Sequence, residues 1–203
     1  MQEVIIATRN KGKATEFKQM LQPYGINVLT LLDIAEDLPD VEETGTTFRE
    51  NAQLKAETIA NIVQKPVLAD DSGLAVDYLD GRPGVYSARY AGEPTDDVKN
   101  VEKLLTEMER ASEDERTARF ICVLAFAIPG KETVFTEGVS EGTISLEPAG
   151  KNGFGYDPIF IPDRCNETMA QLDQEEKNKI SHRYHALVAF QVWLDEQIEQ
   201  GGK

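Results

Sequence analysis

The feature that most constrains this fold is an alternation of segments at the start of the chain. Val4-Ile5-Ile6-Ala7 is a short, β-branched apolar run and reads as a buried strand. Residues 13–22 then place Phe17, Met20 and Leu21 on one helical face, with Pro23 and Gly25 as stop signals. Residues 26–32 read as a second strand. Parallel strands need a helical crossover whereas antiparallel ones need only a turn, so strand–helix–strand predicts a βαβ unit.

The remaining chain extends this α/β pattern into a mixed sheet. Residues 33–45 form an acidic loop, and Thr47-Phe48-Arg49-Glu50 has the spacing of a capping box opening a helix that runs to about Gln64. Residues 67–69 read as a short buried strand ending in the turn Asp70-Asp71-Ser72-Gly73, and residues 74–79 resume as strand. A dense turn signal follows at residues 80–84, then a helix capped by Asp96 or Asp97. Residues 119–128, 133–136 and 138–146 have strand character, with residues 129–131 turning the chain between the first two. A glycine-rich loop over residues 152–157 leads to a short strand at residues 158–161. Helices are expected around Ala170 and from Ser181 onward, the last burying Leu187, Phe190, Val192 or Trp193, and Leu194. No linker or repeat divides the 203 residues, so residues 1–203 read as a single domain, and two lobes facing a cleft fit that length.

Charge narrows the function. With 36 acidic against 21 basic side chains the net charge is −15, which disfavours long nucleic acid but not a small nucleotide met by a local cation cluster. There is no apolar run of bilayer length and no basic leader before the first strand, so a cytoplasmic protein without membrane attachment is expected. Cys122, inside an apolar run, and Cys165 read as two free thiols.

Four clusters carry candidate chemistry. Thr8-Arg9-Asn10-Lys11-Gly12-Lys13 lies where the first strand gives way to the first helix; unpaired N–H groups and three cations there suit phosphate, or Asn10 is simply a helix cap. Asp70-Asp71-Ser72-Gly73 sets two carboxylates after a buried strand, a place for Mg2+ or for a turn with Gly73 at positive φ. Gly153-Phe154-Gly155-Tyr156-Asp157-Pro158 offers Phe154 or Tyr156 as a stacking surface for a base, or two core aromatics pinning a loop. In Lys177-Asn178-Lys179-Ile180-Ser181-His182-Arg183 the cations of a first helical turn oppose the helix dipole, which points to an anionic or carbonyl-bearing partner or to ordinary surface charge. His182 and His185 have no third histidine or cysteine beside them and are discounted as a metal pair.

Taken in order, these motifs are specific. Thr8-x-Asn10-x-x-Lys13, Glu42-Glu43-Thr44-Gly45 with Phe48-x-Glu50-Asn51-Ala52, and Ala69-Asp70-Asp71-Ser72-Gly73-Leu74 come first. Gly84-Val85-Tyr86-Ser87-Ala88-Arg89-Tyr90, Gly153-Phe154-Gly155-Tyr156-Asp157-Pro158 and Ser181-His182-Arg183 follow. The chain resembles the inosine/xanthosine triphosphate pyrophosphatase family from about residue 4 to about residue 195. That resemblance implies an elongated mixed sheet flanked by helices, two lobes around a substrate cleft, a homodimer, and Mg2+-dependent hydrolysis of purine nucleoside triphosphates such as ITP, dITP and XTP. By the same resemblance Asp71 is the proton acceptor and, with Glu42 in preference to Glu43, a metal ligand. Thr8, Arg9, Asn10, Lys11, Gly12 and Lys13 hold phosphate, with Lys55 as a further contact. Ser72, Phe154, Gly155, Tyr156, Asp157, Lys177, His182 and Arg183 contact substrate. The rival readings are a pyrophosphatase for other modified nucleotides and a non-catalytic nucleotide-binding protein.

Overall fold

The computed structural model describes residues 3–34 and 38–201. Among these residues six strands and five α-helices alternate as far as β4, after which strands and then helices follow in succession: β1 (Glu3–Ile6), α1 (Lys11–Leu21), β2 (Asn27–Thr30), α2 (Phe48–Val63), β3 (Val67–Val76), α3 (Asp97–Glu107), β4 (Thr117–Ala127), β5 (Val134–Ile144), β6 (Phe160–Pro162), α4 (Gln174–Ile180) and α5 (His182–Gly201). The strands form one sheet in the order β2-β1-β3-β4-β5-β6. As the opening alternation requires, β1 runs parallel to β2, pairing Val4 with Val28, and parallel to β3, pairing Ile6 with Leu68. At the other edge β5 and β6 are antiparallel, with Thr143 opposite Ile161. The α/β mixed sheet flanked by helices is therefore the observed fold.

Local signals set several boundaries. Thr47 Oγ1 accepts from the Glu50 N–H at 3.1 Å while the Glu50 carboxylate takes the Thr47 N–H at 3.2 Å, the reciprocal box expected at the start of α2. Asp96, rather than Asp97, caps α3 by accepting from the Lys99 N–H. Two expectations fail, and a third choice is decided. Asp70-Asp71-Ser72-Gly73 is not a turn: the four residues lie inside an unbroken β3, and Gly73 is not among the residues at positive φ. Residues around Ala170 form turns, with the Gln171 N–H donating to the Thr168 carbonyl, and helix resumes only at Gln174 behind an Asp173 cap. On α5, Val192 is 55% exposed, so Trp193 and Leu194 are the residues that pack inward beyond Phe190. The Met20 side chain and residues 35–37 of the acidic loop lie outside the described positions.

Two compact units make up the chain. The first comprises Met1–Asp71, Cys122–Gly138 and Ala186–Lys203, and its core joins Val4, Ile6, Phe17, Leu68, Leu124 and Phe190. The fully buried Cys122 belongs to that core, and both cysteines are free thiols. The second comprises Ser72–Ile121 and Val139–His185, with Leu74, Leu104, Met108, Phe120, Ile144 and Phe160 at its centre. Among the described residues no helix is long and apolar enough to cross a membrane.

Candidate active site

In the first unit the chain leaves β1 through Thr8 and enters α1 at Lys11. Asn10 caps that helix: its Oδ1 accepts from the Gly12 and Lys13 N–H groups at 2.9 and 3.1 Å, and its own N–H donates to Thr8 Oγ1 at 3.2 Å. Thr8 is buried, whereas Arg9, Asn10, Lys11 and Gly12 are exposed. Arg9 turns toward the acidic loop, pairing with Asp40 at 3.0 Å and bonding the Leu38 carbonyl. Lys13 folds back instead, and its ammonium sits 2.8 Å from Asp70 Oδ2.

Strand β3 sets the two aspartates beside two helices, and each takes a different cation. Asp70, 2% exposed, receives Lys13 from α1. Asp71, 6% exposed, receives two donors from α2: Lys55 Nζ at 3.2 Å on Oδ1 and Asn51 Nδ2 at 3.2 Å on Oδ2. Asn51 and Lys55 are four residues apart and so share one face of α2. Burial pushes the Asp71 carboxyl above the ordinary carboxylate range, with Glu43 adding to the rise, while Lys55, Lys13 and Asn51 pull against it. Desolvation presses the Lys55 ammonium the other way, toward deprotonation, but Asp71, Asp70 and Glu43 outweigh it, so Lys55 is held above the usual lysine value. Glu43 is the acidic-loop residue that enters this network, 3.0 Å from Lys55 Nζ; Glu42, preferred from the sequence, is exposed. Three carboxylates, Asp70, Asp71 and Glu43, thus share two ammonium groups, Lys13 and Lys55.

A second cluster is built within the second unit. Lys177 on α4 is 2.8 Å from Asp157 Oδ2, and both side chains are 7% exposed. The same oxygen accepts the Phe154 N–H at 2.8 Å, so the glycine loop closes on its own carboxylate. Gly153 makes this possible, because it sits at φ +77 and a Cβ there would stand 1.9 Å from Asp157 Oδ2. The half-buried Phe154 ring lies under two cations, Lys177 Nζ at 5.0 Å and the Arg183 guanidinium at 5.7 Å from its centroid. Arg183 also donates to Ser72 Oγ at 3.1 Å. His182 is buried and stacks on Phe120, centroids 4.9 Å apart and planes 13° from parallel. Ser181 Oγ accepts from the Tyr184 N–H at 3.1 Å and so caps α5, as its position in the sequence suggests.

One aromatic departs from expectation. Tyr156 is 3% exposed and its hydroxyl donates to the Ser87 carbonyl at 2.9 Å. Its ring belongs to the core, and burial drives its phenol well above the ordinary value, which leaves Phe154 as the half-buried ring of the two. Gly155 offers its N–H to Asp97 Oδ2 at 2.8 Å. His185 bonds through Nδ1 with the Val139 carbonyl at 2.7 Å.

Three contributors were not singled out from the sequence. Asn51 was visible as part of a motif and, in retrospect, by its four-residue offset from Lys55. Phe120 carries no signal, being one apolar residue in an apolar strand. Asp97 was read only as a possible helix cap.

The chain as a whole has known relatives. Residues 4–193 match the Ham1 family. The chain belongs to the Ham1 family. A dITP/XTP pyrophosphatase of Oceanobacillus iheyensis is 57% identical over 194 residues, covering 96% of this chain and 98% of that protein. The dITP/XTP pyrophosphatase of Bacillus subtilis is 57% identical over 187 residues, covering 92% and 94%. Among solved structures, the Staphylococcus aureus Ham1 protein superposes with a TM-score of 0.86 at 44% identity, covering 97% of this chain and all of that one. A nucleoside-triphosphatase, or dITP/XTP pyrophosphatase, of Mycobacterium abscessus does so with a TM-score of 0.77 at 41% identity, covering 93% and 98%. The Ham1 fold accordingly extends over both units described above.

Proposed function

We propose that this Ham1 chain hydrolyses purine nucleoside triphosphates bearing a wrong base (dITP, XTP and ITP) to the monophosphate and pyrophosphate, with Mg2+, as a cytoplasmic homodimer. The observation that carries the reading is Asp71: a carboxylate 6% exposed, raised above its usual pKa, and flanked by cations. A group so placed is a better proton acceptor than an ordinary aspartate. The relatives named as dITP/XTP pyrophosphatases, at 57% identity, support the substrate class.

The residues fit a divalent cation. Asp70 and Asp71 set hard carboxylate oxygens at a largely buried place, and an Mg2+ held by one or two carboxylates keeps its other positions for water and phosphate oxygens; the described residues hold no group of three or more acidic, histidine or cysteine side chains that would enclose an ion alone. Asp71 is assigned to hold the ion together with Glu42, the exposed acidic-loop residue that the family resemblance favours as its partner. Bound there, Mg2+ would neutralise phosphate charge and acidify a water. Asp71 accepts the proton of the water that attacks the α-phosphorus; the α–β anhydride bond breaks and pyrophosphate departs. Lys13 and Lys55 meet the charge on the departing group, and the N–H groups from Asn10 to Lys13 cradle it. No covalent intermediate is required.

Base selection follows from donor placement. Phe154 supplies the stacking face, and the cations above it, Lys177 and Arg183, favour an electron-rich carbonyl over an amino group. His182 and Arg183 present donors suited to the 6-carbonyl of hypoxanthine and xanthine, whereas the 6-amino group of adenine would face donor with donor. A site built on buried hydrogen bonds discriminates by roughly 10⁴-fold in favourable cases.

Pyrophosphate release from dITP, XTP, dGTP and dATP, with Mg2+ and with chelator, tests this for the parent and for Asp71→Asn. Metal-dependent release from dITP and XTP, slow release from the others, and an inactive variant are expected. Release from none of the four would overturn the reading in favour of a binding protein. Sedimentation should give twice the 22.6 kDa chain mass, and a single-chain mass would remove the dimer.

A further inference from the structure

The mechanism above gives no role to the motif Phe48-x-Glu50-Asn51-Ala52, yet one of its residues, Asn51, touches Asp71. Asn51 is fully buried, in the first turn of α2. Its Oδ1 accepts the Gly45 N–H at 2.7 Å, and its Nδ2 donates to Asp71 Oδ2 at 3.2 Å. Chemistry fixes the orientation of this amide: a backbone N–H can only donate and must face the oxygen, and an ionised carboxylate can only accept and must face the nitrogen. The two bonds run in series, so each polarises the other.

Gly45 is bound to this arrangement by shape as well. A Cβ at position 45 would stand 2.6 Å from Asn51 Oδ1, so no side chain fits while the bond is kept. Gly45 lies two residues after Glu43 and three after Glu42. A single buried carboxamide therefore links the acidic loop to the Asp71 carboxylate and holds the oxygen, Oδ2, that the Lys55 contact at Oδ1 does not use.

We propose that Asn51 is a positioning residue: it fixes the acidic loop against Asp71, so that the loop glutamate and the aspartate present their oxygens together. The proposal rests on the assignment of Asp71 and Glu42 made under the proposed function. Asparagine suits the place where its neighbours in size do not. Aspartate would set carboxylate against carboxylate, and alanine would strip both the Gly45 N–H and Asp71 Oδ2 of a partner.

Groups that orient metal-binding carboxylates typically contribute 10–100-fold in affinity or activity. Mg2+ titrated calorimetrically into the nucleotide-free Asn51→Ala protein should therefore bind about 10-fold or more weakly than in the parent. The kcat for dITP should fall by a similar factor while KM stays within about threefold. Gly45→Ala attacks the same link from a half-buried loop and should show the same pattern, which keeps the test decisive if Asn51→Ala does not fold. Thr47→Ala is the control: it removes the cap of α2 without touching the Asn51–Asp71 bond, so it should lower Tm and leave Mg2+ affinity and kcat unchanged. A folded Asn51→Ala or Gly45→Ala protein with parental Mg2+ affinity and kcat would overturn the proposal, whatever its Tm. A parent that neither binds Mg2+ nor releases pyrophosphate would instead overturn the proposed function itself.

Discussion

The ion pair of Lys177 and Asp157 gives a sharp energetic test of the second cluster. Exposed pairs contribute about 0–1 kcal/mol, and removal of either member would then be nearly silent. Here both side chains are 7% exposed and 2.8 Å apart, which places them in the buried regime. Deleting one member of a buried pair strands the other charge and costs about 3–5 kcal/mol. For a chain of this size each kcal/mol moves Tm by about 2–4 °C, so Lys177→Met or Asp157→Leu should lower Tm by about 6–20 °C. The double variant leaves neither charge behind. Because replacement of a buried pair by apolar side chains is often close to neutral, it should be more stable than the sum of the single losses by at least about 2 kcal/mol. Denaturant unfolding of the four proteins, with midpoints and slopes compared, closes the cycle. Additivity within about 0.5 kcal/mol would refute the reasoning, since it would mean that the two charges do not depend on each other.

Two further outcomes follow from the first cluster. Asp71 is raised by burial, so on its account stability is fully present below the unfolded carboxylate value and is lost as pH rises through the folded value. On the proposed role of Asp71 activity needs its ionised form, so kcat should rise with pH along an acid limb; Lys55→Met removes the cation that most opposes the shift and should move that limb to higher pH, while an unmoved limb would remove Asp71 as proton acceptor. Glu42→Gln should raise the Mg2+ needed for half-maximal rate by on the order of 10-fold, with Glu43→Gln instead loosening Lys55 and sparing the Mg2+ requirement; the reverse order would exchange their roles.

The sequence reveals local structure well and tertiary compensation poorly. The opening βαβ unit, the Thr47–Glu50 box and the Ser181 cap depend on residues within a few positions of one another, and each is present. Asp70-Asp71-Ser72-Gly73 misleads because its local preference is for a turn. The cations that let two carboxylates stay inside a strand come from Lys13 and Lys55, which are 57 and 16 residues away in sequence. Glu42 and Glu43 look equivalent in sequence and separate only when Lys55 reaches one of them. Tyr156 and Phe154 sit two apart in a loop, where no periodicity tells which ring faces the core; the Ser87 carbonyl decides it.

The cap on α1 bears on exchange at the proposed phosphate cradle. Gly12 and Lys13 already spend their N–H groups on Asn10 Oδ1. An arriving phosphate oxygen therefore competes with a tethered carboxamide rather than filling bare donors, and part of its gain is cancelled by the bonds it displaces. The same carboxamide stands ready to retake those donors when the anion departs. If the cradle holds phosphate as proposed, the helix start would act as a reversible latch: it would give up some grip on anions, and in return the release of a polyphosphate product would not wait on water alone to reoccupy the site.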